Sequence, residues 1–517
     1  MSEDQLFAER RRKMDELAAL GVPSHNVDFR PDHSLEGARR DLERWEAEHP
    51  AGDEALGDML GPEVAVAGRL MQFRLQGKSC FCHVEDESGR MQVWCRVDRL
   101  DEHIWETVKL LDLGDILGIR GHLMRTRRGE PTVLAADVTL LVKALRQPPE
   151  KFHGLQDQET RYRKRYYDLM ASAAQRRHFA ARSAIIRSAR RTLEQRGFLE
   201  VETPMLQLIA GGGHALPFTT HWNALDTDVH LRIAIELHLK RLLVGGYNRV
   251  YEIGRVFRNE GLSPRHNPEF TMLECYQAYG DYNDMRELTE ALVVDAANAV
   301  GTVPAGEGGS EPCEDPLRRR YEGRDLTLTP PFRTARMADL IGDVCGFDPT
   351  AAWDAGTLRD EAVRAGIALQ PEMTDGQIFF ELYEQRVERT LFDPTFVIDY
   401  PAAVSPLARR RSDDSRFVER FELVIAGREL ANAFSELNDP IDQRARFEEQ
   451  HAQRTAGDAQ AHPLDEDFLE AIEAGMPPAG GLGLGIDRLV MLITDRPTIR
   501  DVLLFPTMRP RHEDVST

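Results

Sequence analysis

The residues best suited to chemistry lie within residues 249–279, where two runs of β-branched and aromatic residues predict strands joined by a charged loop. A period of two puts Phe270, Glu274 and Tyr276 on one face of the second strand, while Arg258 stands where the loop begins. An aromatic plate, a carboxylate, a phenol and a guanidinium would then surround one space. Such a surface can hold a planar ring, a phosphate and a cation together.

Glu274 is the most informative of these residues, because it stands inside an otherwise apolar strand. A buried and unpaired carboxylate costs several kcal/mol, so we expect it to have a cationic partner. An ordinary hairpin with a charged tip is the alternative reading of this stretch. That alternative leaves the buried carboxylate without a purpose.

Composition excludes several classes of protein. The chain has 517 residues, of which 42% are hydrophobic and 29% charged, as in a soluble globular protein of two or three domains. No apolar run approaches the roughly 20 residues that span a bilayer, and no apolar signal segment opens the sequence. Six cysteines without CxxC spacing predict neither a zinc site nor a disulfide framework, so we expect a cytoplasmic protein. A net charge of −21 argues against a nonspecific nucleic-acid coat.

The elements that must position these residues fall into four regions. Five short strands between residues 64 and 143, with glycines at the turns, predict a small Greek-key barrel of the OB type, although any small β domain would fit the pattern alone. Longer helices and strands follow residue 174. The predicted regions are a helical extension (1–60), the barrel (61–147), a linker (148–173) and a catalytic domain (174–517), with residues 302–324 a mobile surface insertion.

Three stretches resemble the signature motifs of class II aminoacyl-tRNA synthetases. The words FRNEG and RHNPEFTM, within residues 257–272, resemble motif 2 in the form that lysyl-tRNA synthetases carry. Residues 197–206 resemble motif 1, and residues 480–506 resemble motif 3. The resemblance implies an α+β fold, in which a five-stranded OB-type β-barrel precedes a catalytic domain built on an antiparallel sheet flanked by helices. It also implies a homodimer formed through the motif 1 region.

The reaction implied by the resemblance joins the carboxylate of L-lysine to the α-phosphate of ATP and then passes the acyl group to tRNA(Lys). Two anions meet in the first step, so the site must carry positive charge. Arg258 and Arg488 match the catalytic arginines of motifs 2 and 3, and a guanidinium can bind phosphate bidentately. The implied ATP-binding residues are Arg258, Glu260, His266, Asn267, Phe270 and Arg488.

Glu422 and Glu429 match the carboxylates that bind Mg²⁺ in the family, and oxygen ligands suit that hard ion. They are seven residues apart, so strict alternation would put them on opposite faces of a sheet. If both bind one metal cluster, a β-bulge or a strand end must lie between them.

Lysine recognition follows from counting charges, since the substrate carries two ammonium groups and one carboxylate. The lysine-binding residues implied by the resemblance are Gly212, Glu236, Arg258, Glu274, Tyr276, Asn432, Phe434 and Glu436. Several carboxylates in one cleft would repel one another without a cation there. The aspartyl and asparaginyl enzymes share the architecture, but an acidic or neutral substrate would not suit this many carboxylates.

The barrel resembles the anticodon-binding domain of the same family. On that likeness Phe81 would stack on an anticodon base and Gln92 would read a base edge, with Arg74 and Glu130 beside them. Exposed aromatic rings and amides are what unstacked RNA bases require.

A few positions depart from the usual pattern of lysyl-tRNA synthetases. Leu216 stands where a basic residue is usual, Ile235 where proline is usual and His238 where tyrosine is usual, while Ala431 and Ala433 replace common glycines. These departures leave two alternatives open. One is a paralogue that adenylates lysine without charging tRNA and passes the adenylate to another acceptor, or to ATP to give a diadenosine polyphosphate. The other is a noncatalytic binding protein.

Overall fold

A computed structural model describes residues 2–50, 59–149, 155, 157–213, 215–261, 263–301, 315–455 and 463–511. The chain divides into two compact units, Met1–Arg176 and Arg177–Thr517. Among the described residues, no helix is long and apolar enough to cross a membrane.

The first unit is a β-barrel with helices before, within and after it. Its elements are α1 (Glu3–Ala19), α2 (Leu35–Glu48), β1 (Glu63–Gln76), β2 (Ser79–Glu85), β3 (Arg90–Arg96), α3 (Glu102–Lys109), β4 (Ile116–Arg125), β5 (Pro131–Val142), α4 (Gln158–Arg163) and α5 (Arg165–Ala171). The strands close in the order β1-β2-β3-β5-β4, with β3 and β5 parallel and the other pairs antiparallel. The predicted five-stranded barrel is therefore confirmed.

The predicted helical extension belongs to this barrel rather than standing apart from it. Leu17 of α1 and Leu35 and Leu42 of α2 are buried in one apolar cluster with the inward-facing barrel residues Val66 and Val93. Ser2 and Ser34 cap the two helices by accepting hydrogen bonds from backbone amides of the first turn. Burial of these leucines gives the helices a stability that helices of 17 and 14 residues would lack in isolation.

The second unit contains one large sheet, two small sheets and the helices around them. Its helices are α6 (Ala173–Glu194, which begins in the first unit), α7 (Glu236–Val244), α8 (Tyr282–Val300), α9 (Met337–Cys345), α10 (Pro349–Asp354), α11 (Leu358–Arg364), α12 (Asp375–Arg386), α13 (Pro440–Thr455), α14 (Glu466–Glu473), α15 (Ile486–Ile493) and α16 (Ile499–Val502). Its strands are β6 (Leu199–Glu200), β7 (Leu206–Gln207), β8 (Thr219–Trp222), β9 (Thr227–Leu231), β10 (Arg249–Phe257), β11 (Glu269–Ala278), β12 (Arg318–Tyr321), β13 (Arg324–Thr327), β14 (Arg333–Arg336), β15 (Thr395–Pro401), β16 (Phe417–Ile425), β17 (Arg428–Ser435) and β18 (Ala479–Gly485). Two single 3₁₀ turns, Glu388–Thr390 and Ala402–Val404, complete the set.

The large sheet has the order β14-β15-β16-β17-β18-β11-β10-β6. Its six inner strands pair antiparallel, as predicted, while the edge strands β6 and β14 pair parallel to β10 and β15. Leu288 and Leu292 of α8 and Leu489 of α15 pack against Leu273 and Leu484 of the sheet. Helices thus cover that face, and the polar side chains of the inner strands are left to the other face.

The expected surface insertion at 302–324 is only partly within the described residues, because 302–314 lie outside them. In place of an irregular segment, the residues that follow form the β12–β13 hairpin, and Tyr321 within it is buried. The five cysteines among the described residues are free thiols. Cys313 lies outside the described part of the chain.

Candidate active site

A deep cleft opens on the polar face of the large sheet, between the β10–β11 hairpin and the beginnings of α7 and α15. The predicted ATP, lysine and metal residues that line it are Gly212, Glu236, Arg258, Glu260, His266, Asn267, Phe270, Glu274, Tyr276, Glu429, Asn432, Phe434 and Arg488. Of the predicted set, Glu422 and Glu436 alone do not line the cleft among the described residues. The period-two face of β11 is confirmed, since its predicted side chains all reach this space.

Arg258 supplies positive charge in the middle of the cleft. Burial lowers the pKa of its guanidinium, against the nearby carboxylates Glu429 and Glu260 that raise it. Its Nε–H is buried and donates to no partner among the described residues, and its Cζ atom lies 5.3 Å from the centre of the Phe270 ring. A guanidinium held this way keeps donors available for an incoming anion.

Arg488 lies in the first turn of α15, as the sequence predicted. Its Nη1 donates to the carbonyl oxygen of Glu429 at 2.6 Å and to the carboxylate of the same residue at 3.1 Å. Although burial opposes ionisation, Arg488 and Arg420 hold the pKa of Glu429 below its usual value. The arginine is therefore oriented by a carboxylate at the mouth of the cleft.

A β-bulge brings Glu422 and Glu429 to the same side of the sheet. Leu423 pairs with Ala431 but Val424 pairs with Glu429, so Leu430 is the extra residue that resets the alternation. The bulge expected from the seven-residue spacing is therefore present. Burial and then the charge of Glu429 raise the pKa of Glu422 to about 7.

These two carboxylates fit a Mg²⁺ ion that also binds phosphate oxygens. Their mutual repulsion in a buried setting is relieved when a cation lies between them. No cluster of three or more metal-ligating side chains occurs among the described residues. Mg²⁺ commonly takes one or two protein carboxylates and completes its shell with substrate phosphates and water, so a two-carboxylate site is consistent with ATP as the remaining ligand.

Glu274 lies at the inner end of the cleft and differs from what we expected. Its Oε1 accepts a hydrogen bond from the backbone amide of Ile235 at 3.0 Å, and its Oε2 accepts one from the hydroxyl of Tyr276 at 3.1 Å. Both donors are neutral, and it forms no ion pair within the described part of the chain. Burial and then the charge of Glu236 raise its pKa to about 7. The expected cationic partner is thus missing from the described residues.

The cation at this end of the cleft is Lys240, which sequence reasoning missed. Its Nζ lies 2.6 Å from Glu236, one helical turn before it on α7, and it also forms an ion pair with Glu436. Burial opposes its charge, but the two carboxylates outweigh that effect and raise the pKa of Lys240. The spacing of four residues from Glu236 was the available signal; the pairing with Glu436 had none.

Arg420 is a second residue that sequence reasoning missed. Its Nη2 donates to Glu422 at 2.6 Å and its Nε donates to the side-chain oxygen of Asn432 at 3.0 Å. It therefore joins a predicted metal ligand to a predicted lysine ligand. Its position two residues before Glu422 on β16 was the only trace of this in the sequence.

Two of the predicted ATP residues are held by the loop that carries them. The side-chain amide of Asn267 donates to the carbonyl of Glu269 at 2.7 Å, and its oxygen accepts from the backbone amide of Thr507 at 3.3 Å. His266 shares a hydrogen bond with the hydroxyl of Ser263 at 3.0 Å, and burial and then Arg488 lower its pKa. A neutral imidazole is therefore the form that faces the cleft.

The departures from the family pattern leave the polar lining of the cleft intact. Ala431 and Ala433 are buried in the core on the opposite side of β17 from Asn432. Leu216 contributes its carbonyl, which accepts a hydrogen bond from the amide of Asn259 at 2.8 Å. Ile235 contributes its amide to the site, as described above.

The predicted anticodon residues share the outer surface of the barrel. Arg74 lies opposite Phe81 across β1 and β2, and Phe81 lies opposite Trp94 across β2 and β3. The rings of Phe81 and Trp94 are stacked, with centres 5.1 Å apart. Glu130 accepts a hydrogen bond from Gln92 at 2.8 Å. The four predicted residues therefore occupy neighbouring positions around β1–β3.

Trp94 and His83 were missed on this surface. Period-two alternation from Gln92 would have found Trp94, and alternation from Phe81 would have found His83. His83 lies 2.7 Å from Glu130 and lines a shallow groove with Gln92 and Glu130. An aromatic pair beside an amide and a carboxylate can stack unpaired bases and bond to their edges.

Comparison with known proteins finds a family match over each of the two regions that carry these residues. The family described as tRNA synthetases class II (D, K and N) matches residues 157–509, and the OB-fold nucleic acid binding domain matches residues 64–141. A lysine–tRNA ligase of Moorella thermoacetica is 49% identical over 513 residues, which are 99% of each chain. A lysine–tRNA ligase of Staphylococcus aureus strain MRSA252 is 48% identical over 509 residues, which are 98% of this chain and 99% of the other.

Proposed function

The chain belongs to the class II aminoacyl-tRNA synthetases of the D, K and N group, and from this premise we propose that it ligates L-lysine to tRNA(Lys) through a lysyl-adenylate. The observation that carries the proposal is the inner end of the cleft. Three buried carboxylates, Glu236, Glu274 and Glu436, meet there, and one protein cation, Lys240, pairs with Glu236 and Glu436. An acidic pocket of this kind suits a substrate that carries two ammonium groups.

The first chemical step brings the lysine carboxylate to the α-phosphate of ATP. Arg258 lies between the acidic end of the cleft and the phosphate end, and its fixed guanidinium can bind an oxygen of each anion. Arg488, which donates to Glu429, would bind the terminal phosphate. Phe270 offers a ring for the adenine. Alignment of the two reactants can by itself supply roughly 7–11 kcal/mol of the rate enhancement.

Mg²⁺ is the proposed cofactor, with Glu422 and Glu429 as its protein ligands. When bound, the ion would neutralise phosphate charge and polarise the phosphoryl oxygens. The protein residues act around it: Arg420 holds Glu422 at 2.6 Å, and Arg488 holds Glu429. Nothing in this chemistry requires a covalent nucleophile.

The barrel surface supports tRNA as the acceptor. Phe81 and Trp94 would stack with anticodon bases, and Gln92 and Glu130 would bond to a base edge. The similarity to the two lysine–tRNA ligases runs through this region as well as the cleft. A lysine-adenylating enzyme without tRNA charging would need no such surface, and no feature of the structure favours that alternative.

We also propose a homodimer, formed by the region that resembles motif 1. Large apolar side chains in and just after this region are exposed to solvent, and they lie close together in the sequence: Leu199, Met205, Leu206, Leu208, Ile209, Trp222 and Leu225. Contiguous exposed apolar surface is typical of an interface. Sedimentation should give twice the chain mass of 58.5 kDa, and a monomer at micromolar concentration would refute this part of the proposal.

The test of the function is lysine-dependent ATP–pyrophosphate exchange, run beside lysine attachment to total tRNA with one enzyme sample. We expect both activities, with exchange unaffected by removal of tRNA. Exchange without attachment would point to another acceptor and overturn the ligase proposal. Absence of exchange with every amino acid would leave only a binding protein.

A further inference from the structure

Lys240 is enclosed as completely as any charged side chain in the second unit. Its side chain has no solvent exposure, and its Nζ lies 5.5 Å from the centre of the Phe434 ring and 6.0 Å from that of Phe468. It pairs with Glu236, which lines the cleft, and with Glu436, which lies behind it. A buried ammonium is retained only where carboxylates offset its desolvation.

Glu436 lies beside the cleft at the position of Gly481. A Cβ atom added to Gly481 would fall 1.9 Å from Oε1 of Glu436 and 2.5 Å from the ring of Tyr276. Any larger residue there would displace both. Beyond the ion pair with Lys240, neither oxygen of Glu436 accepts a hydrogen bond from the described residues. One of its oxygens is therefore held by the protein and the other faces the space at Gly481.

The charges of this cluster do not balance. Glu236, Glu274 and Glu436 can carry three negative charges, and Lys240 carries one positive charge. Arg258 also attracts Glu274, but the carboxylate that acts most strongly on Arg258 is Glu429. When all three carboxylates are ionised, two negative charges are left over, and a lysine molecule brings two ammonium groups.

We propose that Lys240 is a positioning residue of the lysine site, which holds Glu236 and Glu436 in place and neutralises one of the three carboxylates so that the remaining charge matches a diamine cation. The inference rests on the proposed function and adds a residue that does not touch the reacting atoms. Lys240 joins Glu236 on α7 to Glu436 at the end of β17. It therefore fixes the distance between two substrate-binding carboxylates of the protein that come from different parts of the chain. Without it, the site would keep the carboxylates but lose their spacing and would bind a proton in place of the missing charge.

The experiment replaces Lys240 with methionine, which is of similar length and uncharged, and measures ATP–pyrophosphate exchange over a range of lysine and ATP concentrations. We expect the KM for lysine to rise about 30-fold or more at pH 7, from the loss of a buried charge contact. We expect the KM for ATP to change by less than about threefold, because its ligands lie at the other end of the cleft. The KM for lysine should also fall more steeply with rising pH than in the wild type, since the variant must release an additional proton.

Lys143 of the barrel provides a matched control, because it is equally buried and also lies between two carboxylates, Asp112 and Asp115. Lys143→Met should lower stability and leave the KM for lysine unchanged. If Lys240→Met does not fold, Lys240→Gln retains hydrogen-bonding capacity without charge and should show the same KM and pH effects. Equal loss for lysine and ATP, or an unchanged pH profile, would overturn the inference. Absence of lysine-dependent exchange in the wild type would instead overturn the proposed function.

Discussion

Two fully buried lysines, Lys143 in the barrel and Lys240 in the cleft, lie in clusters that look alike and are balanced differently. Lys143 donates to Asp112 at 2.7 Å, to Asp115 at 2.8 Å and to the carbonyl of Leu110 at 2.9 Å. Lys13 also pairs with Asp112, so two cations face two carboxylates. Each charge in the barrel cluster has its partner within the chain.

Within the described residues the cleft cluster has one cation, Lys240, for three carboxylates, and Glu274 has only neutral donors. Asp115 of the barrel accepts backbone hydrogen bonds from Asp112 and Ala144 in addition to its lysine, whereas Glu436 accepts none beyond its ion pair in the described chain. A buried ionic cluster that is complete keeps its charges compensated without a ligand. A buried cluster that lacks cations is completed by a ligand, and this contrast separates scaffold from site.

The sharpest way to break the comparison is Asp115→Asn. Removing one partner leaves the buried Lys143 with a single carboxylate, Asp112, which it shares with Lys13, so we expect the barrel to lose about 3–5 kcal/mol of unfolding free energy. Lysine-dependent exchange per folded enzyme should stay unchanged. Denaturant unfolding measures the first effect and exchange measures the second. A loss of lysine affinity in this variant would remove the distinction between the two clusters.

Glu436→Gln should have the opposite pattern of effects to Asp115→Asn, because its main effect should be on lysine binding rather than on stability. It removes a carboxylate that the ligand needs, so we expect lysine binding to weaken by about 2–5 kcal/mol of binding free energy. The dissociation constant for ATP should stay nearly constant. Calorimetric titration of each ligand against the same variant supplies its own control. Equal weakening of lysine and ATP binding would count against the assignment of Glu436.

Replacing Phe81 with alanine asks whether the barrel surface acts separately from the cleft. Loss of one base-stacking contact should cost about 1–3 kcal/mol of binding free energy and lower the kcat/KM for tRNA charging accordingly. Exchange measured without tRNA should not change. Phe29, which lies under the guanidinium of Arg120, provides a matched aromatic control. Phe29→Ala should leave charging intact, and an equal loss in both variants would mean that general disruption of the barrel is responsible.

The pH dependence of lysine binding gives the smallest of the four effects. Because burial and Glu236 raise the pKa of Glu274 to about 7, the carboxyl group is protonated below that pH and must lose its proton to pair with an ammonium group. The affinity for lysine should therefore fall about tenfold per pH unit below pH 7 and level off above it. Glu274→Gln should bind lysine weakly with a flattened profile, and a flat wild-type profile would refute the role of Glu274.

The sequence predicted the residues that line the cleft wherever the alternation of side chains along a strand determines their positions. Alternation placed Glu274 and Tyr276 correctly, and the spacing of Glu422 and Glu429 led to the bulge. Both depend on one strand or one strand pair, and hydrogen-bonding geometry fixes these locally.

What the sequence left out depends on pairing between distant parts of the chain. Lys240 and Glu436 are 196 positions apart, and no pattern in either segment announces the contact. The parallel edge strand β6 is only two residues long, too short for a residue pattern to predict its pairing with β10. The prediction of a cationic partner for Glu274 was wrong for a related reason. The nearby Lys240 pairs with Glu236 and Glu436 instead.

The hydrogen bond from Ile235 to Glu274 has a consequence for how this site tolerates change. The donor is a backbone amide, so almost any side chain at position 235 would preserve it, and proline alone would abolish it. The contact lowers the pKa of Glu274 against the effect of burial. Replacement of Ile235 by proline would therefore raise the pKa of Glu274 and move the pH range of lysine binding upward without altering any charged residue.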